Sequence, residues 1–157
     1  MSPMIRLRAV ALRLALLAGL VATLSAGAAG AATQVHFKTP SGNINCYLFS
    51  AQGGVADCIV LQASWTNAPP KPKACDLDWV PTELALGKTY VSVGGCRGDV
   101  GPRCYTGGGH CSVLAYGHSI TMGTIRCSSA TSGLTCRRTT GRHAGFRLAR
   151  ESFSVYR

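Results

Sequence analysis

Eight cysteines constrain this chain more than any other feature. Cys46, Cys58, Cys75, Cys96, Cys104, Cys111, Cys127 and Cys136 form an even set, and none lies in the first 45 residues. What precedes them has the layout of an export signal. Arg6, Arg8 and Arg13 form a charged opening, an apolar stretch runs from Leu14 to about Leu24, and Ser25 to Ala32 is almost purely small residues. The small-x-small pattern of Ala29-Gly30-Ala31 and Gly30-Ala31-Ala32 predicts cleavage near Ala31 or Ala32. Residues 1–32 are then a signal peptide and residues 33–157 a single disulfide-rich domain. The rival reading is an uncleaved anchor, because Leu14 to Ala32 is nineteen uncharged residues and about 20 can span a bilayer. The small-residue end suits a peptidase better than a lipid interior. No cysteine lies near the cleavage region, which argues against a lipoprotein, and no second apolar run is long enough to span a membrane.

Thiols carried out of the cytosol meet an oxidising compartment and pair, so four disulfides are expected. Turn signals narrow the choice of partners. Gly53-Gly54 lies between Cys46 and Cys58, and Ser132-Gly133 lies between Cys127 and Cys136. Each pair sits where neighbouring strands of a hairpin bring opposed residues within disulfide reach. Cys104 and Cys111 enclose Gly107-Gly108-Gly109 as a short loop clasp, which leaves Cys75 with Cys96. A metal site using His110, Cys111 and His118 competes with this reading. It lacks the Cys-x2-Cys repeat usual in structural zinc sites, so neither a metal nor a cofactor is expected.

The remaining length suits one ordinary domain, and a chain that is 46% hydrophobic and 14% charged is too apolar to stay disordered. Its periodicity is that of strands. Val35 and Phe37 alternate with His36 and Lys38, Thr39-Pro40-Ser41-Gly42-Asn43 reads as a turn, and Ile44, Cys46 and Leu48 resume one face. Cys58 to Leu61 is a short buried strand. Ala68 to Lys73 is a Pro-rich connector, legible also as a polyproline ligand. Pro81 to Gly87 is the best helical candidate, one or two turns begun by Pro81 and ended by Gly87. Thr89, Val91 and Val93 mark another strand, and glycine-rich sequence from Gly94 to Gly109 reads as loop. Val113 to Tyr116, Thr124 to Cys127, Leu134 to Cys136 and two pieces around Phe146 and Phe153 complete the set. The fold class is therefore mainly β, a small antiparallel sandwich or barrel stapled by about four disulfides, with at most one short helix. Gly-x-Ile-x-Cys occurs at both Gly42–Cys46 and Gly123–Cys127, as either a duplicated half-domain or two similar Cys-bridged hairpins would give.

The stretch Phe37-Lys38-Thr39-Pro40-Ser41-Gly42-Asn43-Ile44-Asn45-Cys46, with Cys96-Arg97-Gly98-Asp99, Leu114-Ala115-Tyr116-Gly117 and Gly145-Phe146-Arg147-Leu148-Ala149-Arg150, resembles the signature of a bacterial secreted family of unknown function. The resemblance spans most of the region after the export signal and implies export and fold, with no activity attached. Two departures stand out. Arg142-His143-Ala144-Gly145-Phe146 replaces the family's Gly-His-Gly-Phe, and Cys104 with Cys111 is an added pair.

Charge gives the functional lead. Loss of residues 1–32 removes three arginines and leaves thirteen basic residues against six acidic ones, a net +7. Through Asp99 the two signs balance; from Val100 onward there are eight arginines and only Glu151. Arg137, Arg138, Arg142, Arg147 and Arg150 are the candidate anion-binding residues, because guanidinium forks pair with phosphate or carboxylate. The expected partner is an anionic polymer of the cell envelope or an acidic protein, with nucleic acid a lesser candidate. The same residues also read as the solvated side of core-facing strands. No catalytic residues stand out. Gly117-His118-Ser119-Ile120-Thr121 lacks the second glycine of a nucleophile elbow, and Arg97-Gly98-Asp99 matches an adhesion tripeptide of little specificity. The reading is an exported, non-catalytic binding module. The alternatives are a small secreted hydrolase using His118 or His143 with Asp99, and a protease-inhibitor or toxin-like protein.

Overall fold

The computed structural model describes residues 33–98, 101, 102, 104 and 111–157, which belong to one compact unit. The signal-peptide reading and its cleavage site fall outside the described residues, as do Asp99, Arg103 and His110. Eleven strands among the described residues form two sheets. The first runs β5-β4-β3-β2-β1-β6, built from β1 (Gln34–Lys38), β2 (Ile44–Phe49), β3 (Val55–Val60), β4 (Asp78–Leu86), β5 (Val91–Arg97) and β6 (Ser112–Val113). The second runs β11-β10-β9-β8-β7, built from β7 (Ser119–Met122), β8 (Ile125–Ala130), β9 (Gly133–Arg138), β10 (Gly145–Leu148) and β11 (Phe153–Tyr156). Alternation explains the architecture, since every second residue of a strand meets the core. Phe37, Leu48, Leu84 and Leu86 of the first sheet share one buried cluster with Ile125, Leu134, Phe146 and Leu148 of the second. The fold is thus a mainly β sandwich. Strand neighbours are antiparallel except for the two-residue parallel pairing of β6 with β1.

Two disulfides lie inside that core. Cys46 stands opposite Cys58 across β2 and β3, Cys127 stands opposite Cys136 across β8 and β9, and all four are buried. Each bond therefore locks a strand register as well as shortening the unfolded chain. Cys75–Cys96 fastens the chain just after the Pro-rich connector to β5, and Cys104 is bonded to Cys111. The connector is further held where the Trp79 indole N–H donates to the Pro69 carbonyl at 2.9 Å.

Three local expectations need correction. Pro81 to Gly87 is no helix: Pro81 to Leu86 belong to β4, where Leu84 and Leu86 face the core. So short a segment gains little from local hydrogen bonds, and pairing with β3 and β5 prevails. Pro81 is accommodated because the register shifts between Val80 and Leu84, and a bulge tolerates a residue without an N–H. Gly94 to Arg97 are likewise strand rather than loop. Glycine is needed there for close approach, since a Cβ on Gly94 would lie 2.2 Å from the Trp79 ring and one on Gly95 2.2 Å from the Glu83 carboxylate. Finally, β6 ends at Val113, with Leu114 and Ala115 irregular and Tyr116 in a turn, while Ser119 to Met122 forms the edge strand β7.

Part of the outer face of the first sheet is covered rather than solvated. Asn45, Ile59 and Glu83 are buried there, Pro102 is buried, and the Cys104 N–H donates to Asn45 Oδ1 at 3.0 Å. Under this cover Arg97 joins two carboxylates. Its Nε donates to Glu83 Oε2 at 2.6 Å and its Nη2 to Asp57 Oδ2. Burial, reinforced by repulsion from Glu83, pushes the Asp57 carboxyl up to about 7 despite the arginine. The folded state therefore holds a proton that the unfolded chain, with an ordinary carboxyl near 3.8, has released. The contribution of this group to stability is full below the unfolded value and is lost as pH rises through about 7. Asp57→Asn should flatten that slope, seen as a shrinking difference between wild-type and variant melting-temperature profiles toward acid pH.

Candidate functional site

The outward face of the second sheet gathers arginines that are scattered in sequence. In β8, Ile125 and Cys127 point into the core, so Arg126 and Ser128 point out; in β9, Leu134 and Cys136 point in, so Thr135 and Arg137 point out. The same alternation turns Arg147 of β10 and Ser154 and Tyr156 of β11 outward. The register aligns them in two rows, Thr121-Arg126-Arg137-Gly145-Tyr156 and Ser119-Ser128-Thr135-Arg147-Ser154. Neighbouring strands are about 4.8 Å apart, so the three arginines rise from one small area of the sheet, Arg126 reaching toward β7 and Arg137 toward β11.

Neutral groups hold these arginines in place. The Arg137 guanidinium lies 3.7 Å from the centre of the Tyr156 ring, two strands away. Gly145 opens that path: a Cβ there would lie 2.7 Å from Arg137 Cγ and 2.2 Å from the Cys136 carbonyl oxygen. Arg126 donates to Ser119 Oγ at 2.7 Å, and Arg147 donates to the Ser132 carbonyl. None of β7 to β11 contains an acidic residue. A guanidinium carries five N–H donors, and the described partners here are neutral oxygens and a ring. The positive charge is thus not neutralised within the face, and donors remain for an external anion.

The arginines singled out from the sequence separate into distinct places. Arg137 and Arg147 lie on this face. Arg138 instead braces the sandwich, donating to the Gly87 carbonyl at 3.2 Å, the Gly53 carbonyl at 3.2 Å and Thr124 Oγ1 at 2.6 Å. Arg142 is exposed in the β9–β10 turn and Arg150 in the β10–β11 turn. The arginine surplus alone does not single out Arg126, although a signal for it exists. If Cys127 opposes Cys136, the residue before the one must oppose the residue after the other, which places Arg126 beside Arg137.

The parts of the competing chemistries are not assembled among the described residues. His118 adjoins β7 and accepts the Ser129 N–H on its carbonyl, near the end of β8, whereas His143 Nδ1 lies 3.1 Å from the Arg138 carbonyl, beyond the start of β8. The two histidines are at opposite ends of the sheet, and Asp99 and His110 lie outside the described residues. The Cys111 sulfur is bonded to Cys104 and is not a free thiolate. Arg97 of the adhesion-like tripeptide is engaged with Asp57 and Glu83 beneath the cover of the first sheet.

The geometry thus defines a small disulfide-stapled β sandwich with one acid-free, arginine-bearing face. The chain belongs to a family of unknown function, DUF6636, whose profile matches residues 15–156. No curated protein and no solved structure matches it.

Proposed function

We propose that this domain is an exported, non-catalytic binding module that docks on an anionic polymer or acidic protein of the cell envelope through the outward face of its second sheet. The observation that carries the reading is the placement of Arg126, Arg137 and Arg147 on one face of a sheet whose strands hold no acidic side chain. Two further facts fit the location. Four disulfides suit an oxidising compartment, and among the described residues no helix is long and apolar enough to cross a membrane.

The test is retention on a sulfated or phosphorylated matrix. Combined Arg126→Ser, Arg137→Ser and Arg147→Ser should elute at clearly lower salt than wild type, with the salt dependence of binding reduced by roughly one unit of log–log slope per arginine removed. Combined Lys71→Ser, Lys73→Ser and Lys88→Ser removes the same charge away from the face and should elute near wild type. Equal losses in the two variants would reduce the face to a contribution of net charge alone.

A further inference from the structure

The second sheet's face is dominated by positive charge, but one end of the sandwich carries a cleft of a different chemical character. Turns from both sheets converge there: the β1–β2 turn, the chain after β3, the turn before β7, and the β8–β9 and β10–β11 turns. The cleft has a volume of about 350 Å³, within the ~300–1,000 Å³ range of small-ligand sites. We infer that it binds a neutral saccharide ring.

The walls are held before any ligand arrives. In the β1–β2 turn the Gly42 N–H donates to the Thr39 carbonyl at 2.8 Å, with Pro40 and Ser41 between them and Gly42 at positive φ. Asn43 clamps the chain after β3, accepting the Gln62 N–H on Oδ1 at 2.8 Å and donating from Nδ2 to the Gln62 carbonyl at 3.2 Å. That segment is tied in turn to the β10–β11 turn: the Ser64 N–H donates to the Arg150 carbonyl at 2.8 Å and the Trp65 indole N–H to the Ala149 carbonyl at 2.9 Å. On the far side, the His118 N–H donates to the Ala115 carbonyl at 3.1 Å, closing a turn in which Gly117 takes positive φ and Tyr116 is left exposed along the cleft.

These bonds use backbone groups and the side chains of Asn43 and Trp65. The side chains of Gln62, Tyr116, Thr131, Arg150 and Glu151 line the cleft without a hydrogen-bond partner among the described residues. Their inventory selects the ligand. Arg150 donates, Glu151 accepts, and amide and hydroxyl groups do both; the one positive and one negative charge cancel. A sugar hydroxyl is itself donor and acceptor, so a ring bearing several is satisfied by such a mixture, whereas an anion would meet Glu151 unfavourably. Tyr116 adds an aromatic surface for the apolar C–H side of the ring.

Titration of the ¹⁵N-labelled full domain with cellotriose, maltotriose and chitotriose at millimolar concentrations tests this. At least one should shift the amides of residues 39–43, 116 and 149–151 in a saturable way that added salt leaves unchanged. Tyr116→Ala and Glu151→Gln, each confirmed as folded by its spectrum, should each weaken that binding about tenfold, while combined Arg126→Ser and Arg137→Ser should keep it. No shift with any of the three sugars, or binding indifferent to both cleft substitutions, would overturn the inference. Neither result depends on whether the arginine face holds an anion.

Discussion

Removing both core disulfides, by Cys46→Ala and Cys58→Ala together with Cys127→Ala and Cys136→Ala, should leave the domain unfolded at room temperature. The loops closed span 12 and 9 residues, for which loss of the crosslink costs about 3 kcal/mol each in the chain-entropy account. The four sulfurs are also fully or almost fully buried, so truncation forfeits core packing as well. A combined loss of about 6 kcal/mol or more is comparable with the ~5–15 kcal/mol total of a typical domain. Removing one pair alone should leave a folded but weakened protein, with its urea midpoint lowered in proportion. Cys104→Ala with Cys111→Ala should cost less, because that bond closes only 7 residues and both ends are half-buried rather than sealed in the core. Near-ultraviolet circular dichroism and urea titration would rank the variants.

Arg97→Ala should be the most damaging single polar substitution. It strands Asp57 and Glu83, two carboxylates under a covered sheet face that share that arginine. Breaking a buried ion pair from one side costs about 3–5 kcal/mol, and the quarter of the Arg97 side chain left exposed places the expected loss near the lower end. Its pH dependence is diagnostic. The penalty comes from uncompensated negative charge, so it should be largest above pH 7 and shrink toward pH 5 as the Asp57 carboxyl takes up its proton. A variant lacking only packing would lose the same stability at both values. Restoring the cation with Arg97→Lys should recover part of the loss, limited because an ammonium lacks the fork that reaches both carboxylates.

Much of this architecture is legible in the sequence, for reasons that differ by element. Strands such as β1 and β2 show because one face is core, as in Phe37, Ile44 and Leu48, and their turns show because Pro40 and Gly42 have few other uses. The β4 strand is hidden because its identity depends on partners: a bulge at Pro81 and a core contact at Leu84 are properties of pairing, and the isolated seven residues resemble a capped helical turn. Gly94 and Gly95 mislead for a related reason. They are small because Trp79 and Glu83 cross over them, a long-range fact that a run of glycines cannot disclose. The cluster of buried Asp57 and Glu83 with Arg97 joins three strands and shows in no local spacing.

The arginine face was half visible. A surplus of arginine after Asp99 indicated where the charge lies, but linear proximity grouped Arg137 with Arg138, whereas strand alternation sends them to opposite sides of the sheet. Composition locates the charge, and register decides which charges act together.

The most direct test of the account is an NMR titration of the domain with a sulfated oligosaccharide, following the side-chain Nε–Hε resonances of the arginines. The account predicts saturable shifts at Arg126, Arg137 and Arg147, spreading to the amides of β8 to β10 and vanishing at high salt, with Arg138 unmoved. Amide shifts centred on Lys71, Lys73 and Lys88, or arginine shifts spread evenly over every exposed guanidinium, would contradict it.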